Sequence, residues 1–480
     1  MTALQAATAI IFALVLLLAG AWLRSRSSLL AKYFVPASLV AGGLGLLAGP
    51  QVLGSIAALM DSGSPLAAGL VPGWVTSAWS NLPVLMINVV FAGLFLGVAL
   101  PGPRRIWQLA GPQIAFGQTV AWGQYVVGLV LALAVLTPAF GLPYASGALI
   151  EIGFEGGHGT AAGLAEVFSS FGFEDGLDLA LGLATIGVVS AVVIGMVLVN
   201  WGARRGFIRP APKLAPETVD LLPASSGIDA VAEEREVVQA SVQGRLRPGK
   251  EVIEPLTFVA AFIGAAILLG WLILQALIQL ETTAWANTGV VVVRYIPLFP
   301  FAMLGGIAIQ MLLDKLGHGE LLDRNLVLAI QGLALDLLIA TAIATLSLVA
   351  IGRNLVPFIL LSSAGIAWCL FCFFVLARRY MGRWWFERAI ADFGQSLGMT
   401  ASGLLLLRVS DPAGRSPALA SFGYKQLFFE PIVGGGFFTA AAIPLIVAFG
   451  PWPILALTVA ITSFWVALGL FHFGRHREPC

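Results

Sequence analysis

The chain reads as an all-α polytopic membrane protein of about eleven transmembrane helices, built as two inverted five-helix repeats, each with a re-entrant hairpin, plus one extra C-terminal span. Three observations predict this. The 480 residues are 59% hydrophobic and 11% charged, with mean hydropathy +0.93, where an average soluble protein carries about 25% charge. Eleven stretches approach the roughly 20 apolar residues that a helix needs to cross a bilayer. Two short polar stretches, one in each half, echo each other: Gly157-His158-Gly159-Thr160-Ala161-Ala162-Gly163 and Leu397-Gly398-Met399-Thr400-Ala401-Ser402-Gly403 both read T-A-x-G.

The apolar stretches lie at roughly 4–23, 34–58, 82–100, 112–136, 178–201, 256–280, 295–313, 325–350, 356–377, 427–449 and 453–473. The first is followed, not preceded, by its basic cluster of Arg24, Arg26 and Lys32. That is the reverse of a cleaved signal peptide, so it reads as a retained span with the N-terminus outside. Lys and Arg accumulate in cytoplasmic loops. With this orientation only Arg294 and Arg353 of the 26 basic residues fall outside, and Lys425, Arg408 and the C-terminal Arg475 and Arg477 fall inside.

The count divides the chain into a first membrane repeat at 1–202, a cytoplasmic linker at 203–253, an inverted second repeat at 254–449, and an extra helix with a cytoplasmic tail at 450–480. The linker opens on Arg209-Pro210-Ala211-Pro212 and reads as a plain connector, with a short surface helix expected over 229–246. The five spans of each half run in opposite directions, so the halves pair across an axis in the membrane plane. Weaker echoes agree: Pro36 precedes Gly42-Gly43 as Pro300 precedes Gly305-Gly306.

The two T-A-x-G stretches fall between spans four and five (about 147–172) and nine and ten (about 390–408). Backbone broken at membrane depth is tolerated only where it is buried in protein or lines a cavity. A matched pair of such breaks is the best pointer to a transporter's binding site. Candidate substrate residues are therefore Gly157, His158, Gly159 and Thr160 in the first hairpin, and Gly398, Thr400 and Ser402 in the second. A helix starting at Thr160 would aim its positive end at an anion. Arg408, just beyond, could take a carboxylate bidentately. Charged or polar groups inside spans mark function by default: Asp336 and Asn88, with Gln395 of the second hairpin, are the candidate sodium ligands. Glu151 and Glu155 read most simply as residues near the outer water interface, and Glu430 starts span ten.

Several classes are excluded or disfavoured. A net charge of +1 without a basic aromatic patch gives no footprint for nucleic acid, and three cysteines give no disulfide framework. Cys369 and Cys372 read as small residues on one helix face. The chain does not read as an enzyme, since it carries no HExxH and no second histidine in its spans beside His158. A channel fits closed hairpins less well than alternating access does.

Gly156-Gly157-His158-Gly159-Thr160 with Ala161-Ala162, then Phe171-Gly172-Phe173, Leu335-Asp336-Leu337 and Leu397-Gly398-Met399-Thr400 together resemble the bacterial sodium/glutamate symporter family over nearly the whole chain. The resemblance implies an inner-membrane, sodium-coupled importer of glutamate. It implies a homodimer, hairpins meeting at the midplane and elevator-like transport. A proton-coupled or exchange transporter of another amino acid or dicarboxylate is the alternative.

Overall fold

The computed structural model describes residues 3–32, 35–61, 64–98, 103–208, 254–285, 291–412 and 414–475. Most of the expected linker, including the surface helix at 229–246, and the last residues of the tail lie outside them. Among the described residues every regular element is helical. Eight helices are long and apolar enough to cross a membrane, or nine when the pair Pro65–Trp79 and Leu82–Gly93, bent by 50°, counts as one span.

The principal helices are α1 (Ala3–Arg26), α2 (Ala37–Ala48, continued to Met60), α3 (Leu82–Gly93), α4 (Pro103–Leu131), α5 (Leu149–Phe154), α6 (Gly157–Gly163) and α7 (Gly176–Arg204) in the first half. The second half holds α8 (Pro255–Ala284), α9 (Phe299–Lys315), α10 (Arg324–Ala344), α11 (Leu355–Phe371), α12 (Trp385–Ser410), α13 (Ala418–Phe429), α14 (Phe437–Phe449) and α15 (Pro451–Ala467). Helix boundaries follow local chemistry. The Asp323 carboxylate accepts from the Asn325 amide at 2.9 Å and caps α10, an N-cap role that suits a short acidic side chain. The Arg324 guanidinium donates to the Gly93 and Leu96 carbonyls, each at 2.8 Å, satisfying groups that the end of α3 leaves without helical partners.

Two expected spans differ from the sequence reading. The stretch at 427–449 is not one helix: α13 stops at Phe429, and α14 starts at Phe437. Between them Gly434 and Gly435 take φ of +70° and +103°, a left-handed backbone that cannot continue an α-helix. The stretch at 295–313 is a helix of 17 residues, α9, slightly short of a full crossing.

The helical stretch Trp385–Ser410, α12, is not one straight helix but reverses direction within it. A Cβ placed on Gly394 would lie 2.7 Å from the Ser402 carbonyl oxygen, and one on Gly403 2.4 Å from that of Ala391. Eight residues of straight helix would separate Gly394 from Ser402 by about 12 Å. The chain therefore folds back between an arm ending at Gly398 and one starting at Thr400, and the glycines let the two arms touch.

Packing sorts the helices into two groups. One core joins α4, α5, α7, α11 and α12 through Tyr125, Phe154, Leu183, Cys369, Phe373 and Leu397. Separate clusters join α3, α9 and α10 through Phe91, Phe299 and Leu338, and α3, α8 and α9 through Ala92, Ala266 and Ala302. Helices α1 and α2 pack on the second group. The groups meet where α6 lies against α3 and α10.

Candidate functional site

The first hairpin descends as α5, breaks at Glu155-Gly156, and turns into α6, where Gly157 has φ +68°. The second turns between Gly398 and Thr400. Both tips converge on Gly187, a third of the way along α7. A Cβ on Gly187 would stand 2.0 Å from the Leu397 carbonyl oxygen and 2.9 Å from the Phe154 ring. Only a residue without a side chain lets both tips approach here.

Beside this meeting point lies a cavity of about 120 Å³. Ile87, Val90, Phe91 and Leu94 of α3, and Gln331, Leu335 and Ile339 of α10, form one wall. The opposite wall is Glu155, Gly156, His158 and Gly159 of the first hairpin, Thr400 and Ala401 of the second, and Glu430 and Gly434 of the α13–α14 break. It is smaller than the roughly 300–1,000 Å³ of drug-sized sites, and a predominantly apolar lining with a few polar groups suits a small solute.

The polar groups are held by specific partners. The Thr185 hydroxyl donates to the Leu181 carbonyl at 2.9 Å, so at 2.9 Å it accepts from His158 Nε2. That leaves the buried His158 Nδ1 as a bare acceptor. Gln426 Nε2 donates to Thr400 Oγ1 at 3.0 Å and to Glu430 Oε1 at 2.8 Å. Gln331 Nε2 donates to the Val90 carbonyl at 2.6 Å and ties α10 to α3. Glu151 is not at a water interface: it is fully buried, and its Oε1 accepts from the Gly434 amide at 2.7 Å and the Thr439 hydroxyl at 2.8 Å. Its Oε2 accepts from the Tyr125 hydroxyl at 2.5 Å. Glu155 is also buried, 4% exposed. Lys425, counted from sequence among cytoplasmic charges, is fully buried and paired with Asp392 at 2.7 Å.

The expected substrate residues divide. His158, Gly159 and Thr400 line the cavity. Gly157 supplies the turn. Thr160 is buried behind it, and a Cβ on Gly435 would lie 2.5 Å from its hydroxyl. Gly398 packs on Val188 and Ala191, and the Ser402 hydroxyl donates back to the Gly398 carbonyl at 2.7 Å; neither lines the cavity. Arg408 sits at the far end of its arm, away from the cavity, because the two turns of helix after Thr400 carry it off. Helix α6 starts at Gly157, not Thr160, and has only seven residues.

The three sodium candidates are not brought together. Asn88 donates to the Val84 carbonyl at 2.7 Å within its own helix and faces a cleft with Glu166, Ser170 and Arg294. Asp336 is half-buried on α10 facing Ser38 of α2. Gln395 Oε1 accepts from Lys425 Nζ at 2.7 Å. These positions share no site, so this set does not fit one ion. Among the described residues no three His, Cys, Asp or Glu side chains gather as a metal cluster.

Sequence reasoning passed over Gln124, Tyr125, Gln331, Lys425, Gln426 and Thr439. The available signal was a polar residue inside an apolar helix, as Gln331 is in Ile330-Gln331-Gly332. No protein-family model matches the chain, and no curated protein matches it in sequence. Fold and site together define a membrane-embedded helical protein with an internal cavity that both hairpins line.

Proposed function

We propose that the chain is a secondary transporter that uses a sodium gradient to import a small carboxylate, glutamate favoured, across a bacterial inner membrane. The observation that carries this reading is the cavity itself: both hairpins reach it, and it lies between two separately packed helix groups. Alternating access needs such a seam, because one group can slide past the other and carry the cavity with it. In this reading α5, α6 and α12 move with α4, α7, α11 and α13, while α1 to α3 and α8 to α10 stay as the frame.

Counting the bent pair ending in α3, the short α9 and the broken α13–α14 as spans completes eleven. The two halves then form inverted five-helix repeats with α15 outside them. The N-terminus lies outside, the C-terminus in the cytoplasm, and the protein works as a homodimer, following the family it resembles.

Proton coupling is the second reading, favoured because Asn88, Asp336 and Gln395 lie in three separate places. Uptake of labelled glutamate into proteoliposomes decides between them. Accumulation with an inward sodium gradient and no proton gradient supports sodium coupling; accumulation with a proton gradient alone supports the second reading; none with either rejects transport of glutamate.

A further inference from the structure

Five buried oxygens without a hydrogen-bond partner belong to residues of α4 and the two hairpins. They are both carboxylate oxygens of Glu155, the Ser396 hydroxyl, Asp392 Oδ2 and Gln124 Oε1. Their residues are 4% exposed or less. Gln124 reaches the second hairpin directly, donating from Nε2 to the Ser396 carbonyl at 2.7 Å. That carbonyl lies near the end of the first arm, where helical partners run out. Asp392 stands one turn before Ser396 on the same arm. Glu155 faces Ser396, Lys425 and Asp392 from the first hairpin, and the Ser396 hydroxyl lies beside it without closing a hydrogen bond.

The charges around Glu155 do not cancel. Lys425 bonds Asp392 Oδ1 and Gln395 Oε1, each at 2.7 Å. Arg388 acts on Asp392 from one turn earlier. Against these two cations stand three carboxylates: Asp392, Glu155 and Glu151. Glu151 already accepts three hydrogen bonds, and Glu430 turns toward Gln426 and Thr400. From α11, Cys369 brings only a thiol. Glu155 is the carboxylate with neither oxygen hydrogen-bonded, and one positive charge beside it would balance it. A proton on Glu155 would supply one donor to a group of acceptors. A hard monovalent cation would be shared among several oxygens, which is how buried carboxylate and amide oxygens are best satisfied together.

We propose that these groups form a sodium site, with Glu155 as its charged ligand and Gln124, Ser396 and Asp392 Oδ2 completing it. The role of that ion in coupling rests on the transport reading above; its binding does not. The site replaces Asn88, Asp336 and Gln395 as the place where sodium is held. It joins the two hairpins through one ion, so sodium fixes the tips against each other beside the cavity.

The test is thermal unfolding of the purified full-length protein in sodium chloride against choline chloride at equal ionic strength and fixed pH. A ligand that binds only the folded state raises apparent stability with its concentration. Sodium is expected to raise the Tm of the wild type and of Asp336→Asn alike. Glu155→Gln is expected to lose the sodium-dependent part, and Ser396→Ala to need about tenfold more sodium for the same rise. The proposal is overturned if Glu155→Gln and Ser396→Ala both keep the wild-type response. It is equally overturned if sodium leaves the wild type unchanged while acidification stabilises it through Glu155. Sodium binding as described, without uptake of any carboxylate, removes the transport reading and leaves the site standing.

Discussion

Lys425 and Asp392 form an ion pair of 2.7 Å in which both side chains are fully buried. The pair joins α13 to the first arm of the second hairpin. The ammonium is further held by Gln395 at 2.7 Å and lies 4.2 Å from the centre of the Phe429 ring. A charge so placed is tolerable only with its partner, since breaking a buried pair strands the other ion at a cost of about 3–5 kcal/mol. Asp392→Ala and Lys425→Met are each expected to lower stability by about that amount, and the double variant by clearly less than the sum. Thermal unfolding of the four proteins in one detergent checks the cycle; strictly additive losses would show that the pair is not coupled.

Glu151 fastens the first hairpin to the break between α13 and α14. Hydrogen bonds to a charged acceptor are worth about 1.5–3 kcal/mol, those between neutral groups about 0.5–1.5. Glu151→Gln is therefore expected to destabilise the protein by about 1.5–3 kcal/mol and to reduce uptake. Tyr125→Phe, which removes one donor and leaves Gly434 and Thr439 in place, should cost less. Equal effects in unfolding experiments would refute this ranking.

Gly187 is the point where both tips rest on α7. A methyl group there meets the Leu397 backbone at 2.0 Å, and backbone cannot turn aside as a flexible side chain can. Gly187→Ala is expected to cost about 1–3 kcal/mol through overpacking. Gly332→Ala, where nothing lies within 4 Å of the added Cβ, should be neutral or slightly stabilising, since alanine favours the helix by about 1 kcal/mol over glycine. Unfolding midpoints of the two variants test the difference.

Arg408 lies off the cavity, whereas Thr400 is on it. If uptake is measured, Arg408→Gln should leave KM within about twofold, while Thr400→Val, which removes one of the two partners of Gln426, should raise it by about tenfold. A large KM effect at Arg408 would restore it as a substrate clamp.

Much of this was readable beforehand, and the reasons for the rest are physical. Glycine and threonine inside apolar sequence marked both hairpins, because nothing else breaks a helix so cheaply. Which hairpin residues face inward was not readable: Thr160 and Thr400 occupy like places in their motifs, yet one is sealed behind Gly435 and the other borders the cavity. The break after Phe429 was hidden because its flanks are apolar on both sides. Lys425 was misplaced because charge counting sees a lysine near the end of a span, not the carboxylate 33 residues earlier that folding brings beside it. The sodium candidates were polar residues judged singly; only the fold shows that the oxygens lacking partners come from α4 and the two hairpins.

Movement of the hairpin group against the frame is tested most directly by cross-linking across the cavity. Leu335 on α10 and Ala401 on the second hairpin line it from opposite sides. With Cys369, Cys372 and Cys480 replaced by alanine, the pair Leu335→Cys and Ala401→Cys is treated with a short bifunctional thiol reagent in membranes. Cross-linking without ligand, and a clear change in its yield when sodium and glutamate are added together, is the expected result. An equal yield in every condition would contradict a moving hairpin group.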